Sequence, residues 1–337
     1  MQSKDIYTYV RPNIISLKPY SSARDEFKGK EGIFLDANEN PFGQLNRYPD
    51  PYQTELKQSL SKIKNVPTEN IFVGNGSDEV IDIAYRIFCE SGKDAVITCP
   101  PTYGMYEVSA NINNIPIINI PLTKDFELDV DKILSTKAKI VFVCSPNNPT
   151  GNSLKNIEYI IQHFDGIVFV DEAYIDFSSR ESLIEKINEY PNLIVSQTFS
   201  KAWGMAAVRV GTAYASIEII SLYNKVKPPY NVSLLNQQAV IDAMKNIESF
   251  QKNTALILSQ RESLQKELSA LTIVKKIYPS DANFLLVEVT DADGIYKTLA
   301  NKKIVTRNRN SVVKNTIRIT VGTAEENIEL IDAMKKL

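Results

Sequence analysis

The sequence predicts an α/β fold in which a large domain is built on a mostly parallel seven-stranded sheet flanked by helices and is followed by a smaller α+β domain. Three observations support this prediction. From about residue 50, short apolar runs alternate with helical patterns, which is typical of a mostly parallel sheet. Most of these runs are continuous, as expected of strands that are covered on both faces. Beyond the segment Lys227-Pro228-Pro229, long helical patterns give way to alternating strands.

The elements of the large domain follow in chain order. Apolar residues recur at helical spacing from Leu56 to Ile63, and residues 71–73 form a short apolar run typical of a strand. From Val80 to Phe88 apolar side chains recur every three or four positions, which predicts a helix with one buried face. The other predicted strands are residues 95–99, 115–120, 140–144, 167–170, 193–196 and 210–215.

The last third of the chain predicts the smaller domain. Helical patterns run from Leu234 to about Leu271, and further helices are expected near Ile295 and Ile328. The predicted strands are residues 273–277, 284–289 and 317–321. We expect three parts: an N-terminal arm with part of the small domain at 1–45, the large domain at 46–235 and the small C-terminal domain at 236–337.

Composition and charge exclude several classes of protein. The 337 residues carry 38 Lys and Arg against 40 Asp and Glu, with no long run of one sign, so we expect neither a nucleic-acid nor an anionic membrane partner. The apolar stretches are far shorter than the ~20 residues that span a bilayer. The N-terminus, MQSKDIYTYVRPN, lacks the apolar core of a secretory signal, so we expect a cytoplasmic protein.

The cysteine and histidine counts limit the chemistry further. Cys89, Cys99 and Cys144 are an odd number in apolar surroundings, which indicates reduced core residues rather than disulfides. His163 is the only histidine, so Ser-His-Asp triads and His-rich zinc sites have at most one candidate. We expect no metal site, and we interpret His163 as an ordinary surface or packing residue near a helix end.

A glycine turn between a strand and a helix is the first segment that could carry chemistry. In VGNGSDE, residues 73–79, small residues precede a helix start, where backbone N–H groups can bind a phosphate. Alternatively, Ser77 or Asp78 only caps the helix. The third glycine of the dinucleotide-binding pattern is missing, which disfavours a nicotinamide enzyme.

Two further segments carry polar groups directly after strands. Asp171 ends an apolar run, at the edge where open α/β sheets bind ligands. A buried carboxylate there needs a positive partner, such as a protonated heteroaromatic nitrogen. Alternatively, Asp171 only caps the next element. Lys201 follows a strand among hydroxyl groups, with Arg209 nearby. A lysine whose pKa is depressed is a nucleophile towards aldehydes, whereas an ordinary lysine here would simply be solvated.

The order of these segments resembles a known family. Gly76-Ser77-Asp78-Glu79, SPNNPTG at 145–151, DEAY at 171–174, TFSK at 198–201 and Arg209 follow one another as in fold-type I pyridoxal-phosphate aminotransferases, over nearly the whole chain. Within that superfamily, four segments resemble the histidinol-phosphate aminotransferases of histidine biosynthesis: LDANENPFG (35–43), NRYPD (46–50), CPPTYGMYEVSA (99–110) and IRITVGTAEEN (317–327). The resemblance implies pyridoxal 5′-phosphate as the cofactor.

The resemblance assigns roles around the cofactor ring. Lys201 would attach the cofactor through its amine and later move a proton as base and acid. Asp171 would keep the ring nitrogen protonated. Tyr174 and Asn147 would hydrogen-bond the phenolic oxygen, and Tyr103 would stack on the ring.

The resemblance also implies which groups bind the cofactor phosphate. Besides Arg209, the groups are the backbone of Ser77, Asp78 and Glu79 and the hydroxyls of Thr198 and Ser200. Tyr48 matches a tyrosine that reaches the phosphate of the neighbouring subunit. The resemblance therefore implies a homodimer with shared active sites.

Substrate contacts are implied as well. Arg318 matches the arginine that receives a substrate anion, and Arg307 is a second anion contact, a role that Arg309 could take instead. Tyr20 and Asn38 resemble substrate-facing positions, although Tyr20 could instead pack against the small domain. The substrates implied are histidinol phosphate and the glutamate/2-oxoglutarate pair.

Other functions stay open at this point. An aromatic-amino-acid aminotransferase or a threonine-phosphate decarboxylase would use the same cofactor and many of the same residues. A phosphate-binding or regulatory protein could use the fold without catalysis. A nicotinamide dehydrogenase is the third alternative, disfavoured by the incomplete glycine pattern.

Overall fold

A computed structural model describes residues 5–21 and 32–337. The described residues form eleven strands in two sheets. The larger sheet contains β1 (Ile71–Asn75), β2 (Val96–Thr98), β3 (Ile117–Asn119), β4 (Ile140–Cys144), β5 (Ile167–Asp171), β6 (Leu193–Thr198) and β7 (Val210–Ala215). The smaller sheet contains β8 (Val274–Ile277), β9 (Phe284–Val289), β10 (Arg307–Asn308) and β11 (Thr316–Thr320).

The larger sheet confirms the predicted α/β class. Its strand order over the described residues is β1-β7-β6-β5-β4-β2-β3. Strand β7 runs antiparallel to β1 and β6, and the other pairs are parallel. The six strands β1 to β6 therefore run in the same direction and end at the same edge, which is where open α/β sheets bind ligands.

Both faces of this sheet are buried, as the continuous apolar runs predict. In β4, Val141 and Val143 belong to one apolar cluster, and Phe142 and Cys144 to another on the opposite face. Each fully buried large side chain of this kind contributes about 1.5–3 kcal/mol relative to exposure. The two clusters hold the strand ends in place beneath the loops that follow them.

Eleven α-helices lie in the described residues, and short 3₁₀ turns connect some of the elements. The helices are α1 (Pro12–Ser16), α2 (Thr54–Lys64), α3 (Ser77–Phe88), α4 (Met105–Ile112), α5 (Val130–Ser135), α6 (Ile157–His163), α7 (Ile217–Val226), α8 (Leu234–Met244), α9 (Ile247–Ser269), α10 (Ala292–Asn301) and α11 (Ala324–Met334). In the described chain none of them is both long and apolar enough to cross a membrane. His163 ends α6 and stacks on Tyr159, which confirms its interpretation as a packing residue near a helix end.

The smaller sheet is antiparallel throughout, with strand order β10-β11-β9-β8. Helices α9, α10 and α11 cover it, and their apolar side chains form one cluster with β9 and β11. The sequence predicted three of the four strands. Strand β10 has two polar residues, Arg307 and Asn308, so apolar patterning gives no sign of it.

The N-terminal helix packs on the large sheet. Ile6, Val10 and Ile14 are buried in the same apolar cluster as the α3 side chains, and Arg11 pairs with Glu90 at 3.3 Å.

The predicted division at residues 45 and 235 stays a prediction. The three cysteines are free and buried, as the composition indicates. Within the described part of the chain, His, Cys, Asp and Glu side chains form no group that could hold a metal ion.

Candidate active site

The candidate site lies at the edge where β1, β4, β5 and β6 end. Four segments meet there: the β1–α3 turn, the SPNNPTG loop after β4, the DEAY segment at the end of β5 and the TFSK segment at the end of β6. Arg318 of β11 reaches the second of these segments, because its Nη1 donates to Asn148 Oδ1 at 2.5 Å. The smaller sheet therefore contributes a side chain to the same cleft.

Asp171 is a buried carboxylate at the bottom of the cleft, with 2% of its surface exposed. Its Oδ2 accepts a hydrogen bond from the Tyr106 hydroxyl at 2.7 Å, and its Oδ1 accepts one from the Ala173 N–H at 3.1 Å. Both donors are neutral, and burial raises the pKa of Asp171. A protonated ring nitrogen would supply the missing positive charge, so this residue fits a pyridine-type cofactor.

Lys201 supplies an amine at the exposed side of the cleft. Its Nζ lies 5.6 Å from the centre of the Tyr174 ring. Partial loss of solvation, followed by the charge of Arg318, lowers the pKa of Lys201, and Asp171 opposes this shift. A lysine with a lowered pKa carries more neutral amine, which is the form that attacks an aldehyde.

Two glycines shape a close approach between β7 and the start of α3. Gly76 has φ +77°, and a Cβ built there would lie 2.5 Å from Nη2 of Arg209. A Cβ on Gly211 would overlap the backbone nitrogen of Ser77. These positions therefore need glycine, and they leave the Arg209 guanidinium next to the first N–H groups of a twelve-residue helix.

This arrangement has the donor set of a phosphate site. A helix N-terminus and an arginine both attract a dianion. The Arg209 Nη2 pairs with Asp78 Oδ2 at 3.2 Å, and Asp78 Oδ1 accepts a hydrogen bond from the Tyr103 hydroxyl at 3.1 Å. The chain thus holds the arginine and the predicted stacking tyrosine through one carboxylate.

The TFSK segment turns sharply after β6. Thr198 is buried, and its hydroxyl accepts a hydrogen bond from the Ser200 N–H at 3.1 Å. Thr198 lies opposite Gly211 in the β6–β7 register, so the segment ends next to the close approach at Ser77. The position fits the predicted contact of both hydroxyls with a phosphate.

The Glu79 carboxylate accepts hydrogen bonds from groups of the protein itself. It accepts hydrogen bonds from the Asn75 N–H at 2.5 Å and from Asn231 Nδ2 at 2.8 Å. Asn231 also donates to the Val73 carbonyl at 3.0 Å. The Glu79 side chain therefore fixes the end of β1, and its predicted backbone contact with phosphate stays a prediction.

Asn147 and Tyr174 flank the cleft. Nδ2 of Asn147 donates to the Pro101 carbonyl at 2.9 Å and to the Thr150 hydroxyl at 2.7 Å, while Oδ1 accepts from the Thr102 hydroxyl at 3.1 Å. A contact between Asn147 and a cofactor therefore requires one of these bonds to be shared or exchanged. Burial raises the pKa of Tyr174, which keeps its hydroxyl in the neutral, donating form.

Three arginines gather on one face of the smaller sheet. Arg307 and Arg318 are direct partners in the antiparallel β10–β11 register, so their side chains share a face. Burial lowers the pKa of Arg309, and the positive charges of Arg318 and Arg307 add to this shift. Like charges gathered in this way favour an anionic ligand.

Arg318 and Arg309 are the two half-buried arginines of this cluster. The Arg318 guanidinium carbon lies 5.2 Å from the centre of the Phe284 ring, and its charge acts on both Lys201 and Tyr174. Arg309 is half-buried and also acts on Tyr174, whereas Arg307 is exposed. The Nε atoms of Arg318 and Arg309 are buried donors without a hydrogen-bond partner among the described residues.

The three predicted residues of the N-terminal segment lie at the surface of the chain. Tyr20 is 71% exposed, and Asn38 is exposed with a left-handed backbone, φ +54°. Tyr48 stacks on Tyr230 with ring centres 4.4 Å apart, beside an open groove of about 460 Å³. The predicted roles of these residues in this chain stay predictions.

Sequence reasoning missed two residues that shape the site. Tyr106 binds the Asp171 carboxylate, and Asn148 holds Arg318. Tyr106 is one of the apolar-face positions of α4, so patterning alone marks it as a core residue. Asn148 lies in the SPNNPTG motif, but the motif does not reveal which strand of the smaller sheet it meets.

Comparisons with known proteins place the chain in a family. The family model "Aminotransferase class I and II" matches residues 27–334. A histidinol-phosphate aminotransferase of Cytophaga hutchinsonii is 53% identical over 97% of each chain. One from Christiangramia forsetii is 52% identical over 100% of this chain and 99% of the relative.

Solved structures show the same fold. The crystal structure of histidinol-phosphate aminotransferase from Sinorhizobium meliloti in complex with pyridoxal-5′-phosphate superposes with a TM-score of 0.80. It covers 89% of each chain at 23% sequence identity. The predicted fold-type I architecture is thereby confirmed.

Proposed function

Because the chain belongs to the class I and II aminotransferase family, and within it to the histidinol-phosphate aminotransferases, we propose that it transfers an amino group between L-histidinol phosphate and 2-oxoglutarate in histidine biosynthesis. Its cofactor is pyridoxal 5′-phosphate. One observation carries the proposal: the buried Asp171 carboxylate at the end of β5 and the Lys201 amine after β6 lie at one edge of the sheet, where Arg209 and Arg318 are also held.

The cofactor, when bound, withdraws electrons from the substrate α-carbon and so makes a proton there removable. Lys201 would hold the cofactor through its amine and would move that proton, because its lowered pKa provides a neutral amine. Asp171 would hold the proton on the ring nitrogen. Tyr174 and Asn147 would hydrogen-bond the phenolic oxygen, and Tyr103 would pack against the ring face.

The phosphate of the cofactor binds at the β1–α3 turn. Arg209 supplies the positive charge, and the backbone N–H groups at 77–79 supply donors at the helix N-terminus. The hydroxyls of Thr198 and Ser200 complete the set. Charge-assisted hydrogen bonds of this kind contribute about 1.5–3 kcal/mol each.

The substrate anion binds at the arginine cluster. One site must accept the phosphate of histidinol phosphate and, in the other half-reaction, the carboxylates of 2-oxoglutarate. A planar guanidinium suits both anions. Arg318 is the primary contact, and Arg307 or Arg309 is the second. Tyr20 and Asn38 approach the substrate from the N-terminal segment.

The enzyme acts as a homodimer in the cytoplasm. Several large apolar side chains on the N-terminal segment are exposed in the single chain, namely Ile33, Leu35, Phe42, Leu45 and Tyr48. Contiguous exposed apolar surface is characteristic of interaction sites. A second copy of the chain would cover them, and Tyr48 would then reach the cofactor phosphate of that copy.

A substrate panel tests the proposal. The purified protein is loaded with pyridoxal phosphate, and kcat/KM is measured for L-histidinol phosphate, phenylalanine, tyrosine and O-phospho-threonine with 2-oxoglutarate as acceptor. We expect histidinol phosphate to be preferred by more than about tenfold. A tenfold preference for an aromatic amino acid, or carbon dioxide release from the phosphorylated threonine, would overturn the proposal. Failure to take up the cofactor would overturn it as well.

A further inference from the structure

The hydroxyl of Tyr106 contacts the Asp171 carboxylate directly. Tyr106 is fully buried, and its hydroxyl donates to Asp171 Oδ2 at 2.7 Å. The other carboxylate oxygen accepts from the Ala173 N–H at 3.1 Å. Each oxygen thus has one donor, and the side-chain donor is the one that a substitution can remove.

The Tyr106 ring is held from several sides. It stacks on Phe142 with ring centres 5.1 Å apart and meets the edge of Tyr103 at 5.6 Å. Its backbone carbonyl accepts a hydrogen bond from the Tyr85 hydroxyl at 2.8 Å. Because these contacts fix both the ring and its backbone, the position of the hydroxyl is fixed as well.

We propose that Tyr106 is a positioning residue that keeps the Asp171 carboxylate oriented and ionised, so that Asp171 can hold the proton on the cofactor ring nitrogen. This inference rests on the proposed function, since it needs the cofactor. Its physical basis is that burial favours the neutral carboxyl group, while a hydrogen bond to the charged form opposes that effect. Tyr106 is fully buried and acts through Asp171.

The effect of Tyr106 is separable from the other charges around Asp171. The titratable groups that act on this carboxylate are Asp78 from α3, Cys144 from β4, Tyr103 beside α4, and Tyr174 and Lys201 from the loops after β5 and β6. Exchange of Tyr106 for phenylalanine removes one oxygen atom and leaves every one of these groups in place.

The test compares Tyr106→Phe with Tyr223→Phe. Tyr223 is an equally buried tyrosine whose hydroxyl donates to the Val80 carbonyl at 3.0 Å, so its loss costs a hydrogen bond away from Asp171. We measure the cofactor dissociation constant of each protein, and the ¹⁵N chemical shift of pyridoxal phosphate labelled at the ring nitrogen across pH. Thermal unfolding of the cofactor-free proteins verifies that each one folds.

For Tyr106→Phe we expect cofactor affinity to fall by roughly tenfold or more, as is typical for loss of a hydrogen bond to a charged group. At neutral pH the ¹⁵N signal should move towards that of the unprotonated ring nitrogen, because the proton shared with Asp171 shifts towards the more basic carboxylate. The control should match wild type in both measurements. In an Asp171→Asn background, removal of the Tyr106 hydroxyl should have no further effect on the ¹⁵N signal.

The outcomes distinguish the two proposals. If wild type binds no pyridoxal phosphate, the proposed function itself is wrong. If wild type binds it and Tyr106→Phe matches Tyr223→Phe in affinity and ¹⁵N shift, the role of Tyr106 alone is wrong. If Tyr106→Phe does not fold, 3-fluorotyrosine at position 106 replaces it. Its stronger donor should move the ¹⁵N signal at neutral pH towards that of the protonated ring nitrogen, and an unchanged signal would overturn the inference.

Discussion

Lys201 is the residue whose chemistry is most specific to the proposed reaction. The structure gives it a lowered pKa and a position 5.6 Å from the centre of the Tyr174 ring. Ordinary exposed lysines stay protonated at neutral pH and are poor nucleophiles. The difference between Lys201 and a surface lysine can therefore be measured directly.

Replacement of Lys201 by alanine should abolish turnover. The phosphate-binding groups remain, so the variant should still bind pyridoxal phosphate non-covalently. Mass spectrometry after borohydride reduction should find the cofactor mass on residue 201 of wild type and none on the variant. Lys252→Ala, at an exposed position of α9, is the matched control and should keep both activity and the adduct. Activity of Lys201→Ala within about tenfold of wild type would contradict the assignment.

Asp171 supplies a charge that the proposed reaction needs, and burial of that charge destabilises the folded chain. Burial raises its folded pKa above the unfolded value, so the folded state binds more protons than the unfolded state between those two values. Stability from this group is therefore highest below its unfolded pKa and declines as pH rises through the folded pKa. Asp171→Asn removes that titration, and it also removes the charge that holds the ring proton.

We expect Asp171→Asn to fold and to lower kcat by orders of magnitude. In the cofactor-free protein, the free energy of unfolding of wild type relative to the variant should decrease from about pH 4 to neutral pH. Urea unfolding at several pH values provides this measurement. A nearly unchanged kcat would refute the electron-withdrawing role of the protonated ring, and a pH-independent stability difference would refute the titration argument.

At the scale of elements, the best-predicted strands are those with continuous apolar runs. The predicted bounds of β4, β7 and β9 agree with the structure, because each run is buried, apart from Glu288 in β9, and is followed by a polar residue. The predicted strand at 115–120 is shorter in the structure, Ile117–Asn119. Strand β10 was missed because its two residues are polar and only pairing with β11 defines it.

For the candidate site as well, sequence predicts local features and misses contacts between distant residues. Strand ends and glycine turns are local features, so sequence could indicate Asp171 and the turn before Ser77, and family resemblance supplied the cofactor. The Tyr106 to Asp171 hydrogen bond joins residues 65 positions apart. The Arg318 to Asn148 bond joins residues 170 positions apart. Such contacts depend on how elements pack, which periodicity does not encode.

The close approach of β7 to α3 yields a prediction for an element junction. Gly211→Ala would place a Cβ against the backbone of Ser77 and push the helix start away from Arg209. We expect weaker cofactor binding and a loss of about 1–3 kcal/mol in the free energy of unfolding, typical of overpacking. Gly104→Ala is the control, since nothing lies within 4 Å of a Cβ there. Equal cofactor affinity in both variants would contradict a phosphate site at the close approach of β7 and α3.

At the scale of the whole molecule, an open groove on the single chain is lined by residues of the N-terminal segment and of segment 230–236. Tyr48 lies beside the groove lined by Tyr230 and Leu234, and the nearby Phe42 and Leu45 are exposed. In the proposed homodimer, Tyr48 of one copy completes the site of the other. This arrangement makes activity a property of the pair, so a defect in one chain can be compensated by its partner.

Mixed dimers test this arrangement. Tyr48→Ala and Lys201→Ala homodimers should each be inactive or nearly so, because every site lacks either the phosphate contact or the amine. When the two variants are co-expressed and the heterodimer is isolated with two different tags, one of its two sites receives Lys201 from one chain and Tyr48 from the other. That site is intact, so the heterodimer should recover up to about half of wild-type kcat. If Tyr48 instead served the site of its own chain, every functional Lys201 in the heterodimer would lack its tyrosine, and activity would stay at the level of the Tyr48→Ala homodimer.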